Sequence, residues 1–142
     1  MKPEYHLVAS AFLGLVLLYF TKSPLAALMC FLSGFLLIDL DHFFDFWVYK
    51  KKITFSREFF EKYCEISGKI YIFFHSFELI LLLWVLFAVF DIGIVGIGII
   101  VGLLSHLVID LLGNGMHPLG YFLTYRVLKG FDFKHVHIKE GY

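Results

Sequence analysis

Charged residues, cysteines and prolines are scarce in this chain of 142 residues. Only 17% of the residues are charged, against about 25% in a typical soluble domain. The two cysteines are too few for a disulfide framework. The sequence also lacks a Gly-x-Ser-x-Gly motif and a phosphate-binding glycine loop, so it gives no sign of a serine nucleophile or of a nucleotide site.

Apolar side chains dominate instead. Sixty per cent of the residues are hydrophobic and 20% are aromatic. A soluble globule of this size has too much surface to bury so many apolar side chains. The composition therefore excludes disorder, a nucleic-acid-binding domain and a small secreted disulfide scaffold, and it indicates an integral membrane protein.

Four apolar runs predict four transmembrane helices, at residues 5–20, 24–40, 71–90 and 92–112. The first two are short for a bilayer, which takes about 20 residues, so we expect them to end at the headgroup boundary. Four runs joined by two short turns and the long loop 43–70 predict an up-down-up-down bundle, an all-α membrane domain covering residues 1–142. A signal peptide is the alternative for residues 1–20, but no small-residue cleavage site is evident.

The basic residues fall on one side of this predicted bundle. All twelve Lys and Arg residues except Lys22 lie in the N-terminus, in the loop 43–70 or in the segment 113–142. The positive-inside rule then places both termini and the loop in the cytoplasm, with the protein in the cell (inner) membrane. Because the loop is rich in aromatic residues and lysines, we expect it at the membrane interface. We expect the segment 113–142 to contain a loop and one interfacial helix.

Ionisable side chains lie inside these apolar runs or at their ends. Such residues are costly in a membrane, so each is a candidate functional residue. In an up-down bundle they all fall on the basic side, and imidazole with carboxylate is the ligand set of zinc, manganese or iron. The candidate metal ligands are His6, Asp39, Asp41, His42, His75, His106, Asp110 and His117.

Local spacing supports a shared site. His106 and Asp110 lie four residues apart, and Asp39 and His42 three apart, so each pair shares a helix face. Asp41 points elsewhere unless the helix unwinds, and it would then bind a second metal or orient a histidine. We expect one to three divalent ions, Zn²⁺ first, with Mn²⁺ or Fe²⁺ as alternatives.

The order of these motifs carries a family resemblance. It rests on an early His6, Leu-Ile-Asp-Leu-Asp-His at 37–42, His75 before a serine, Leu-Ser-His-Leu-Val-Ile-Asp at 104–110, and Gly113 followed by His117 and a proline. In this order the chain resembles the membrane-bound metal-dependent hydrolases of the LexA-regulated, YdjM-like family. That family often has His-Arg-Gly-x-Thr-His-Ser in its third block, whereas residues 70–76 lack the first histidine and the arginine. The pattern is similar, more distantly, to the zinc-dependent phospholipase C and P1-type nuclease group.

The residues and this resemblance lead to the expectation of a metal-dependent hydrolase acting on a phosphoester of a lipid or lipid-linked substrate. Metal-activated water would attack, Asp41 or Glu78 would accept its proton, and Arg126 or Lys129 would hold a phosphate. Membrane lipid would be the environment and a candidate substrate, whereas the sequence does not indicate an oligomeric state. The alternatives are a non-enzymatic metal-binding protein, such as a transporter or sensor, and a structural subunit whose polar cluster holds helices together.

Overall fold

A computed structural model of the protein describes residues 3–50 and 67–137. These ranges are helical, with two isolated β-bridges, and the predicted all-α class is confirmed. A π-helical turn lies at Ser33–Leu37 and a 3-10 helix at Pro118–Tyr121. The helices are α1 (Pro3–Thr21), α2 (Pro24–Leu32), α3 (Leu40–Lys50), α4 (Phe77–Val89), α5 (Gly93–Gly113), α6 (Leu123–Leu128) and α7 (Phe133–Val136). Most of the predicted interfacial loop, residues 51–66, lies outside the described ranges, as do residues 138–142.

Three segments in the described ranges are long and apolar enough to cross a membrane: Pro3–Thr21, Pro24–Asp45 and Gly93–Gly113. They coincide with the predicted runs at 5–20, 24–40 and 92–112, although the second continues into α3. The remaining predicted span, 71–90, contains the 13-residue helix α4. At about 1.5 Å per residue this helix is about 20 Å long, shorter than a hydrocarbon core of about 30 Å. A membrane protein with three candidate spans is therefore what the fold supports.

The residues just before α4 form a loop because their backbone groups bond to side chains of α3. Asp45 accepts the backbone N–H of Ile72 at 3.2 Å, and Asp41 accepts that of Phe74 at 2.7 Å. Ser76 then caps the first turn of α4. These contacts replace the helical hydrogen bonds expected from the apolar run.

Helix α1 buries its polar and small residues and exposes its apolar ones. His6, Ser10 and Gly14 are buried at intervals of four residues, whereas Val8 and Leu15 are exposed. This pattern is the reverse of that on a helix of a soluble protein, and it is typical of a helix that faces lipid. It turns the imidazole of His6 toward the bundle interior.

Helices α2 and α5 approach closely because glycines line the contact. A Cβ at Gly98 would collide with the carbonyl of Ala26, and one at Gly102 with the carbonyl of Cys30. The Ser33 hydroxyl donates across the same contact to the carbonyl of Ile99, at 3.1 Å. The close approach brings the π-helical turn against α5 one turn before His106.

Candidate metal centre

Five of the predicted ligands meet at one end of the bundle. His6 comes from the start of α1, Asp39 from the junction of the π-helical turn with α3, and His75 from the loop before α4. His106 and Asp110 come from the last two turns of α5. All except Asp39 are almost completely buried.

The nitrogen–oxygen separations in the cluster suit ligands of one ion. Asp39 Oδ1 lies 3.5 Å from Nε2 of His75 and 3.5 Å from Nε2 of His106. Asp110 Oδ2 lies 3.6 Å and 3.4 Å from the same two nitrogens. Two atoms bound to one ion at about 2.0–2.2 Å with a tetrahedral angle lie about 3.3–3.6 Å apart. The donor atoms therefore pass this test of fit for a divalent ion.

A backbone carbonyl fixes the tautomer of His106. Its Nδ1 lies 2.8 Å from the carbonyl oxygen of Gly34. A carbonyl can only accept, so Nδ1 carries the hydrogen and, in the neutral ring, Nε2 carries a lone pair. That nitrogen is the one that faces Asp39 and Asp110. The π-helical turn thus presents His106 as a ligand.

A carboxylate does the same for His75. Asp41 Oδ1 lies 3.1 Å from Nδ1 of His75, so the ring donates there. The opposite nitrogen, Nε2, is buried and has no hydrogen-bond partner among the described groups, although it faces Asp39 and Asp110. A lone pair facing two carboxylates is unfavourable unless a cation lies between them. Asp41 therefore lies behind His75 as an orienting carboxylate, one of its three predicted roles.

Protonation of His75 is the alternative that needs no metal. Burial lowers the pKa of this ring, but the carboxylates of Asp39 and Asp41 outweigh burial and raise the pKa to about 10. An imidazolium would then donate to both carboxylates. This is the chemical form of the structural-subunit hypothesis, and it differs from the metal hypothesis in predicting no bound ion.

His6 and His42 extend the cluster on opposite sides. His6 Nε2 lies 3.2 Å from Asp110 Oδ1, and its ring stacks on that of His106 with centroids 3.9 Å apart. His42 Nε2 lies 3.6 Å from Asp39 Oδ1. The nitrogen Nδ1 of His6 is buried without a hydrogen-bond partner in the described part of the chain.

The described residues offer three overlapping triads of ligand atoms, each with its atoms within 4.8 Å of one another. His106 and His75 each belong to two of them. Since Nδ1 of each of these rings is engaged elsewhere, each has one nitrogen left for an ion. The triads are His6–His106–Asp110, Asp39–His75–His106 and Asp41–His42–His75.

Two predicted site residues cap helices away from the cluster. Glu78 accepts the backbone N–H groups of Leu123 and Thr124 at 2.9 and 3.1 Å, at the start of α6. His117 accepts the N–H of Leu119 at 3.1 Å and belongs to none of the triads found in the described ranges. Both satisfy N–H groups that a helix start leaves unpaired. The structure therefore does not bring Glu78 or His117 to the candidate metal centre.

The two predicted phosphate-binding residues have different surroundings. Arg126 is completely buried, and it donates to the carbonyls of Ile72 at 2.6 Å and of His75 at 3.1 Å. It fixes the loop that carries His75, a role that the sequence did not indicate because its partners are backbone atoms more than 50 residues away. Lys129 is exposed, with Nζ 5.8 Å from the ring of Tyr125.

Comparison with protein-family models, with curated proteins and with solved structures finds no match to this chain. The described residues form a helical fold with three segments long and apolar enough to cross a membrane, and its His and Asp groups could hold a metal ion.

Proposed function

We propose that the protein is a membrane-embedded, metal-dependent hydrolase that cleaves a phosphoester of a lipid or lipid-linked substrate at the cytoplasmic membrane surface. The single observation that carries the proposal is His75. Its Nδ1 is engaged by Asp41, and its buried Nε2 faces Asp39 and Asp110 without a hydrogen-bond partner. This is the arrangement of a metal-binding histidine oriented by a carboxylate.

We propose one or two ions in each chain. Because His106 and His75 each have one nitrogen left, the three triads cannot all be filled at once. The donor set of imidazole and carboxylate favours Zn²⁺, with Mn²⁺ or Fe²⁺ as alternatives.

The chain's own groups would divide the work of hydrolysis. A bound divalent ion polarises a phosphoryl oxygen and lowers the pKa of water from 15.7 to about 7. Asp39 is the most exposed carboxylate of the cluster and would accept the proton of the attacking water, since Asp41 is engaged by His75 and Phe74. The water oxygen bonds to phosphorus, the phosphorus–oxygen bond to the leaving group breaks, and a proton returns to that oxygen. No oxidant or reductant is required.

Metal content tests the proposal first. Protein purified without chelator should contain at least one divalent ion per chain by elemental analysis, and should hydrolyse a phosphodiester in a reaction that chelation stops and zinc restores. His75→Gln should remove both metal and activity. The matched control is His117→Gln, a histidine outside the triads, which should keep both. Wild-type protein without metal would overturn the proposal, and metal without hydrolysis would favour a transporter or sensor.

A further inference from the structure

Asp39 forms the open edge of the candidate metal centre. Its side chain is 37% exposed, whereas those of His75, His106 and Asp110 are 1–6% exposed. His42, beside Asp39, is 21% exposed. A substrate that reaches the ligand atoms therefore comes in past Asp39.

Exposed apolar side chains border this edge. Leu36, Leu40 and Phe44 follow one another at intervals of four residues, and Asp39 directly precedes Leu40 in the chain. Leu40 and Phe44 lie four residues apart on α3 and share one face of that helix, whereas Leu36 lies in the π-helical turn before it. Trp47 continues the row, with its ring 6.5 Å from that of Phe44. We call Leu36, Leu40, Phe44 and Trp47 the apolar strip; each is 45–51% exposed.

The apolar strip lies mostly within a candidate membrane span. It begins within the candidate span Pro24–Asp45 and extends over about 16 Å at about 1.5 Å per residue. A tryptophan at its end is typical of a membrane–water interface. Asp39 lies within the candidate span Pro24–Asp45, where an ionised carboxylate costs free energy unless a cation and a polar partner lie beside it.

We propose that the apolar strip binds an acyl chain of a membrane phospholipid whose phosphate reaches the metal centre past Asp39. This inference rests on the proposed function and adds a binding site and a substrate class to it. An amphiphile matches both features, because its chain covers the leucines while its phosphate meets the polar edge. A water-soluble phosphoester gains nothing from the leucines.

Kinetics on two substrates test the strip. Leu36→Ala and Leu40→Ala should each lower kcat/KM about tenfold for long-chain phosphatidylglycerol in mixed micelles, because each removes a contact with the chain. Hydrolysis of bis(p-nitrophenyl) phosphate and the metal content should stay within twofold of wild type. Leu81→Ala, an exposed leucine on α4, is the matched control and should change neither. An equal loss on both substrates, or no loss, would overturn the inference.

Lipid retention tests the strip without catalysis. Native mass spectrometry of wild-type protein purified in detergent with phosphatidylglycerol should show one retained lipid per chain. The double variant Leu36→Ala/Leu40→Ala should lose it, and Leu81→Ala should keep it. If wild-type protein hydrolyses nothing but shows this pattern, the proposed function fails and the strip stands. Equal lipid retention by wild type and the double variant would overturn the inference. It would also be overturned if the wild-type protein formed a dimer that dissociated in the double variant while the lipid stayed bound.

Discussion

At His106, a single backbone carbonyl decides which ring nitrogen can bind an ion. That carbonyl belongs to Gly34, in a π-helical turn packed against α5. A Cβ at Gly34 would lie 2.6 Å from the Ser10 hydroxyl and 2.8 Å from the carbonyl oxygen of Gly102. Because the Gly102 oxygen is a backbone atom of the packed helix α5 and cannot move aside, any side chain at Gly34 must move the turn and its carbonyl.

Gly34→Ala should therefore weaken metal binding. Loss of an outer hydrogen bond to a metal-binding histidine typically costs 10–100-fold in affinity, and we expect a loss in that range for zinc in a competition titration. Gly14→Ala is the matched control, since its Cβ would crowd another backbone carbonyl, of Ala27 at 3.1 Å, two turns away from His6. The control should lose some stability but keep its zinc affinity. Equal losses of affinity would contradict the role of Gly34.

Replacement of a ligand should do more than replacement of its support. His106→Ala and Asp110→Ala should each lower metal affinity more than 100-fold and abolish activity. Ser105→Ala should be mild, because the Ser105 hydroxyl donates at 2.7 Å to the Gly102 carbonyl within the same helix. The measurement is metal stoichiometry in folded, monodisperse protein. Wild-type metal content in His106→Ala would show that His106 is not a ligand of the ion.

Among the helices, the sequence predicts α1 and α5 well and the start of α4 poorly. Apolar runs at 5–20 and 92–112 correspond to helices because their hydrogen bonds are local. The run from residue 71 is equally apolar, yet its first residues form a loop held by Asp41, Asp45 and Arg126. These contacts join residues 26 to 54 positions apart, and hydropathy does not report them. The sequence predicts that His6, Asp39, His75, His106 and Asp110 lie at one end of a four-span bundle, and they meet at one end of a fold with three candidate spans. The carbonyl of Gly34 had no signal in the sequence.

Arg126→Met should release the loop that carries His75. Two hydrogen bonds from a charged, buried group contribute about 1.5–3 kcal/mol each, so we expect the free energy of unfolding to fall by about 3 kcal/mol or more. Zinc affinity of the folded variant, measured at low temperature, should also fall, because His75 loses its fixed position. Lys129→Met, three residues along and exposed, should change neither quantity. Unaltered zinc affinity in folded Arg126→Met would show that Arg126 stabilises the fold without positioning the ligand.

Hydropathy predicts whether the molecule enters a membrane, whereas the distribution of charge predicts its orientation there. Hydropathy predicts a membrane protein, and the fold provides three segments of sufficient length with polar residues of α1 turned inward. The direction expected in the membrane rests on the basic residues alone, since the described turn at residues 22–23 and the one at 90–92 carry a single lysine, Lys22. The candidate metal centre lies at the start of α1, at the opposite end of this helix from the turn at residues 22–23.

Labelling of introduced cysteines should establish this orientation. In a background with both native cysteines replaced, Ile92→Cys lies in the turn before α5, and an impermeant maleimide should label it in intact cells. Lys69→Cys, an exposed position next to the described loop before α4, should be labelled only after permeabilisation. Basic residues are retained on the cytoplasmic side of a membrane. The N-terminus, the loop and the candidate metal centre should therefore all lie on that side. The opposite pattern would place the centre outside the cell, where cytoplasmic zinc cannot load it and where a cytoplasmic phosphoester cannot be its substrate.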